Sequence, residues 1–451
     1  MSSKIRNILF IAFIGLFVII TPLVMLYAAG YEFNWEAKKI QKTGTLNIIT
    51  DPKGAKVYLD GKVLTETSLA SFINKARPVY TPAKIKNLLP GEYLVKLEAE
   101  GYWPWEKKAD IYPGEALNLD KIILIKKDLP ILAAAEALTG AITSPDRDKF
   151  LCLAGDKCGI FSLSGDNFSI LPGESCKGKN IVWSQDGSKI LIGEKLYDLA
   201  AGGPENALDL AKIIPKTARL YSFDSANSAK LYFFDNKSLN LYSYGEAQAN
   251  PVQKISGSLD DYSVNGNELR MVSRAADKAF LIIYDLSQGK DIRRIELPYS
   301  EGYKLKKSNN SLVSLLDEKR NILYIIDPLS RAPSKETIEN VKVLYWMDEN
   351  NLLYANDFEI WKINASSGNK ELFTRLSDPI KDVIWHPSGD FIIYSTANSL
   401  NLLETSGSER KVIELVKLDQ VSAPALDKNG EIIYFYGAIR EKKGIYKLRI
   451  R

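Results

Sequence analysis

Few side chains in this sequence are placed to do covalent chemistry. His386 is the only histidine, so a Ser/His/Asp relay would have to be built on it. It stands in a turn, at a position where sister segments carry Ser144 and Ser184, which fits a turn residue better than a general base. The chain has no Gly-x-Ser-x-Gly elbow before a helix-like stretch, no phosphate loop, no dinucleotide fingerprint and no His/Cys cluster. Carboxylates are numerous, and none can be singled out as half of a hydrolytic pair. Asp146, Asp186 and Asp427 recur in equivalent turns, where a ring of acids would suit Ca²⁺. Such acids more often cap their own turn through the backbone. The expectation is no catalytic residue, no cofactor and no metal.

Three cysteines, Cys152, Cys158 and Cys176, are too few for a disulfide-dense scaffold or a Cys-rich zinc site. Cys152 and Cys158 flank the turn Gly155-Asp156 and are spaced to face each other across a hairpin, where an oxidising compartment permits a bond. The plainer reading is three small buried hydrophobes. Trp103-Pro104-Trp105 offers two rings for stacking on a sugar or partner, so Trp103 and Trp105 are the candidate binding residues. Packing of these rings into their own domain competes with that reading. Fifty-nine basic against 55 acidic residues give a net charge of +4 over 451 residues, with no Lys/Arg-dense patch, so nucleic-acid binding is not expected.

The elements that would carry these residues begin with an uncharged stretch from Asn7 to Tyr31. A helix rises about 1.5 Å per residue, so some 20 apolar residues cross a bilayer core of about 30 Å. The stretch is longer than a cleavable signal peptide's apolar region, although Ala28-Ala29-Gly30 would suit a peptidase. An uncleaved signal-anchor over residues 8–30 is expected, after a cytoplasmic tail of residues 1–7. Lys4 and Arg6 favour a cytoplasmic N-terminus, and Lys38, Lys39 and Lys42 blunt that bias. Tyr27, Tyr31 and Trp35 read as an interfacial belt, and 31–41 as a linker.

From residue 42 to 127 the pattern alternates with period two. Thr45–Thr50, Ala55–Asp60, Tyr93–Glu98 and Leu117–Ile125 read as strands. Asp51-Pro52-Lys53-Gly54, Asp60-Gly61 and Leu89-Pro90-Gly91 supply the turns. Asp51–Gly61, Thr81-Pro82, Leu89–Val95 and Glu100-Gly101-Tyr102 resemble, in order, the motifs of the PEGA domain. Lys53 stands where that family has Glu, on an exposed turn. The stretch Lys62–Tyr80 is longer than in the family and is a place for an added contact. The resemblance implies a small β-sandwich of bacterial or archaeal surface proteins, with no catalytic residues to carry over.

The remainder, 128–451, repeats at about 40 residues. The clearest copies are Ile181–Ile192 and Val383–Tyr394. Weaker ones begin at Ile142, Tyr221, Val343 and Ala423, and degenerate ones near Tyr262 and Lys307. Each reads as strand, polar turn, apolar strand, short turn, strand and often a fourth, the grammar of a propeller blade. The segments at Trp183 and Trp385 resemble the Trp-Ser-Pro-Asp-Gly repeats of TolB-like propellers. The fold class expected is all-β: a transmembrane helix, a PEGA-like sandwich, then a seven- or eight-bladed β-propeller, eight preferred. Because Gly444–Ile450 reads as a third strand, the missing outer strand is expected from Ile131–Leu138, which would also fix the two domains to each other.

These readings describe a bacterial single-pass membrane protein with its C-terminal domains outside the cytoplasm. Its function is expected to be non-enzymatic, the propeller binding an envelope protein or a cell-wall glycan. A glycan-acting envelope hydrolase using propeller carboxylates and an envelope sensor or assembly scaffold are the alternatives.

Overall fold

The computed structural model describes residues 3–35, 37–66, 77–134, 137–172, 175–200, 207–235, 238–255, 258–308, 311–407 and 410–451. The chain divides into two compact units, Met1–Asp128 with Ile450–Arg451, and Leu129–Arg449.

The first unit opens with α1 (Ser3–Ala28), a helix that carries Pro22 inside it. Its segment Leu9–Ala28 is long and apolar enough to cross a membrane, and none of it is buried against the protein. Residues read as a linker instead pair as a hairpin of β1 (Tyr31–Asn34) and β2 (Lys39–Lys42). Trp35 is 83% exposed there and meets Phe33 edge-on.

The sandwich follows. Its first sheet has β3 (Gly44–Asp51) between antiparallel β6 (Ala83–Leu88) and parallel β9 (Ala116–Ile123). Its second contains β4 (Lys56–Leu59), β5 (Lys62–Val63), β7 (Gly91–Glu98) and β8 (Trp105–Ile111). Alternation along β3 sends Leu46 and Ile48 inward to meet Val57, Val95, Leu97, Ile111 and Ile122. Burying each large aliphatic side chain contributes about 1.5–3 kcal/mol. The hairpin β4–β5 turns through Asp60 and Gly61, both at positive φ (48° and 75°), as the two-residue Asp-Gly turn requires. Asp60 also accepts the Leu94 amide through its carboxylate. Most of the insertion between β5 and β6, residues 67–76, lies outside the described residues.

Among the described residues, the second unit contains eight four-stranded antiparallel sheets. We number them as blades 1 to 8 from their innermost strands: Gly140–Thr143, Ile181–Trp183, Arg219–Phe223, Ser258–Asn265, Tyr303–Lys306, Val343–Trp346, Asp382–Trp385 and Gln420–Leu426. Hydrophobic clusters lie between successive blades rather than within them. One joins blades 1 and 2 through Leu151, Ile160, Ile190 and Tyr197. Another joins blades 8 and 1 through Tyr434, Tyr436, Phe150 and Phe161, closing the ring. Second strands are therefore covered on both faces and read as continuous apolar runs, as in Phe391–Ser395, buried throughout. Outer strands are wetter, as in Lys290–Leu297.

Blade 8 is completed by the segment Ile131–Ala134, which pairs antiparallel with Lys442–Arg449 at Ile131↔Lys447 and Leu132↔Tyr446. A strand from before the first blade thus supplies the outer edge of the last, as the repeat pattern required. The cysteine pairing differs from the sequence expectation. Cys152 lies opposite Gly159 in the blade 1 hairpin, and the disulfide joins Cys158 to Cys176 instead. Strand register decides this, because Cys158 faces the space between blades 1 and 2 where Cys176 packs. Cys152 belongs to the cluster between blades 8 and 1. Burial pushes the Cys152 thiol up to about 12, partly opposed by a backbone hydrogen bond from Phe161.

Candidate partner-binding mouth of the propeller

At one mouth of the ring, the innermost strands of blades 1 to 4 and 6 to 8 enter short turns to their second strands. Four of these turns follow one plan. Arg147, Gly187, Gly389 and Gly430 each donate their amide to the carbonyl three residues earlier, on Ser144, Ser184, His386 and Asp427. All four have positive φ. Glycine takes this conformation freely, whereas a side chain costs about 1–2 kcal/mol. At Gly187 a Cβ would also come 2.4 Å from the Asp146 carboxylate of blade 1.

The turn acids cap these loops. Asp186 accepts from the Ser184 hydroxyl at 2.6 Å and from the Ser188 amide and hydroxyl. Burial alone would raise its carboxyl, but those donors together with Ser228 hold it down, at about 2. Asp146 accepts from Ser144 and Asp148, and Asp427 from the Glu431 and Ile432 amides. Among the described residues, no three His, Cys, Asp or Glu side chains gather as a metal site would need. His386 is buried at 2% exposure. Its Nδ1 accepts the Ser388 amide at 3.1 Å, which leaves the proton on Nε2, donated to the Gly430 carbonyl of blade 8 at 2.8 Å. It is a turn residue that clasps two blades.

Arg147 is the residue the repeat pattern did not flag. It occupies the glycine slot of blade 1 at φ 58°. Its guanidinium forms a two-pronged pair with Asp382 of blade 7, at 3.0 and 3.2 Å, and donates to the Pro424 carbonyl of blade 8 at 2.7 Å. It also lies 5.8 Å from the Tyr345 ring centre of blade 6. A cation where sister turns carry glycine was the available sequence signal.

Two cavities open at this mouth. One, of about 570 Å³, spans blades 6, 7, 8 and 1, with Leu344, Tyr345, Met347, Ile384, Trp385 and Leu426 among its walls. The other, of about 460 Å³, spans blades 2 to 5 and is more polar, with Trp183, Gln185, Tyr221, Asp261, Tyr262 and Arg270 in its lining. Burial raises the Asp261 carboxyl, although the Leu305 amide and nearby lysines oppose the rise. Burial, reinforced by Asp261, raises the Tyr262 phenol. Lys307 lines both cavities.

The two tryptophans singled out from sequence are in the other unit. Trp105 sits in β8 opposite Leu97 and packs partly against the sandwich core. Trp103 is half-buried, donates its amide to the Ile125 carbonyl and carries the Lys127 ammonium 4.7 Å above its ring.

Residues 43–124 match the family model of the PEGA domain. The chain thus carries a PEGA domain ahead of an eight-bladed β-propeller. No curated protein matches the chain. Among solved structures, the chain is similar to the Dos1 propeller at 9% identity, covering 72% of this chain and 96% of that one with a TM-score of 0.48. A eukaryotic initiation factor is similar at 9% identity, 70% and 86% coverage and a TM-score of 0.48. Hsv2 of Kluyveromyces lactis is similar at 16% identity, 49% and 70% coverage and a TM-score of 0.36.

Proposed function

We propose that this is a non-catalytic, single-pass membrane protein of a bacterial envelope whose propeller mouth holds a protein partner. The observation that carries the reading is the wall of the larger cavity. Leu344, Tyr345, Met347, Ile384 and Trp385 bring aromatic and apolar side chains from two adjacent blades to one opening. Partly buried aromatics in a concave surface are the usual anchors of a protein interface. The lining carboxylates do not resemble a hydrolytic pair. Asp146 and Asp427 are spent on their own turns, and among the described residues Asp261 is the one carboxylate lining the smaller cavity. The apolar helix and the Cys158–Cys176 bond suit an anchored protein whose propeller folds in an oxidising compartment.

Photo-crosslinking in cells tests this. A benzoylphenylalanine placed at position 347, half-buried in the mouth, is expected to give a discrete envelope-protein adduct. The same group at position 329, where the side chain is 75% exposed and absent from the cavity walls, is expected to give none. Equal labelling from both positions, or none from position 347, would refute the reading.

A further inference from the structure

The mouth is chemically divided, and its two halves meet at one cation. Lys307 of blade 5 lines both cavities. Its side chain is exposed in the mouth, yet the surrounding protein strips enough water to pull its ammonium below the usual lysine range. Asp146, from blade 1 on the far side of the ring, opposes that pull, but its carboxylate already serves the Ser144 hydroxyl. The other cations of the smaller cavity are engaged: Arg270 with Glu268, and Lys306 with Glu318. Lys307 makes no hydrogen bond or ion pair with the described residues.

A second observation points the same way. Trp183 Nε1, Gln185 Nε2 and the Tyr262 hydroxyl are buried with no hydrogen-bond partner among the described residues, and all three side chains line the smaller cavity. Tyr262 is only 4% exposed. A buried donor without an acceptor costs about 1–3 kcal/mol, so three in one wall require explanation. The indole and the amide nitrogen can only donate. The polar half therefore offers donors and an unpaired positive charge, its carboxylate Asp261 being tied to the Leu305 amide and raised by burial, while the other half offers apolar walls.

We infer that the partner segment is a peptide carrying a carboxylate, an acidic side chain or a chain terminus, held over Lys307 and the donors of blades 2 and 4 while its apolar residues enter the cavity of blades 6 to 8. This rests on the partner-binding reading and adds the ligand's charge. A neutral glycan would use the same donors but would be indifferent to the Lys307 charge.

The test uses the full chain in lipid nanodiscs and fluorescence anisotropy. Two pools of labelled eight-residue peptides of matched apolar composition are compared, one with two glutamates per peptide and one with glutamines in their place. The glutamate pool is expected to bind about tenfold more tightly, equivalent to about 1.4 kcal/mol. Lys307→Met is expected to erase most of that difference, and added salt to narrow it. Equal binding of the two pools, or Lys307→Met leaving the glutamate pool unaffected, overturns the inference, as does displacement by tetra-N-acetylglucosamine but not by unlabelled glutamate peptide. If the position 347 adduct persists in those cases, the partner-binding reading survives and only the carboxylate is lost. If that adduct is also absent, both fall.

Discussion

Replacing Arg147 separates two effects that the fold combines in one residue. The guanidinium gives two hydrogen bonds to Asp382 and one to the Pro424 carbonyl, with the paired side chains only 21% and 19% exposed. Hydrogen bonds to charged groups contribute about 1.5–3 kcal/mol each, but bonds from one guanidinium do not add independently, and the pair loses hydration as it is buried. Arg147→Ala leaves Asp382 and the carbonyl without this partner and keeps a Cβ at φ 58°, so we expect a loss of about 3 kcal/mol. Arg147→Gly loses the same bonds but is relieved of about 1 kcal/mol of backbone strain, so its loss should be about 2 kcal/mol. Urea midpoints followed by tryptophan fluorescence measure both. At about 2–4 °C per kcal/mol for a domain somewhat smaller than this one, the gap of about 1 kcal/mol should make the alanine variant melt about 2 °C below the glycine variant. A glycine variant as stable as the parent would limit the three-blade clasp to about the 1 kcal/mol of strain that glycine relieves, well short of the loss of about 3 kcal/mol expected for it. A glycine variant less stable than the alanine variant would show that the positive φ costs nothing. A double-mutant cycle with Asp382→Ala should return a coupling of about 1–2 kcal/mol.

Three further predictions concern the cysteines and Asp186. Alkylation under denaturing, non-reducing conditions should modify Cys152 alone, and all three cysteines only after reduction. Replacing Cys158 and Cys176, 18 residues apart, by serine should cost about 3 kcal/mol through the freed loop of the unfolded chain. Asp186, held at about 2 against an ordinary 3.8, binds fewer protons folded than unfolded. Its contribution is complete above pH 3.8 and disappears as pH falls through about 2, so Asp186→Asn should be less stable than the parent at pH 7 and match it near pH 2.

The ring was legible because each blade must bury both faces, which forces an apolar second strand after a polar turn in every copy. The closing strand was legible because the C-terminal segment stopped one strand short. Cys176 escaped because its partner is set by which side of a strand Cys158 faces, and a hairpin turn does not reveal that. Strand β8 was not legible because the charged run Glu106-Lys107-Lys108 shows no apolar alternation, and only Ala109 and Ile111 near its end are buried. The two-part mouth could not be read at all. Lys307 and Asp146 are far apart in the chain and come into electrostatic range only when eight blades close.

The irregular copies of the repeat carry what is particular to this protein. Blades 2, 7 and 8 keep glycine in the first turn and a serine, histidine or aspartate to cap it, and they present Trp183, Gln185 and Trp385 to the cavities without departing from that turn. Where the pattern fails, something else occupies the position. Blade 1 gives up its turn glycine and gains the Arg147 clasp. Blades 4 and 5, the least recognisable copies, place Tyr262 and Lys307 at the mouth. Local rules are broken where a residue serves more than the fold. On this argument the poorly matching copies add the charge to a mouth whose regular blades already supply aromatic walls, and restoring the common turn at Lys307 should leave the propeller standing while abolishing its discrimination between charged and neutral peptides.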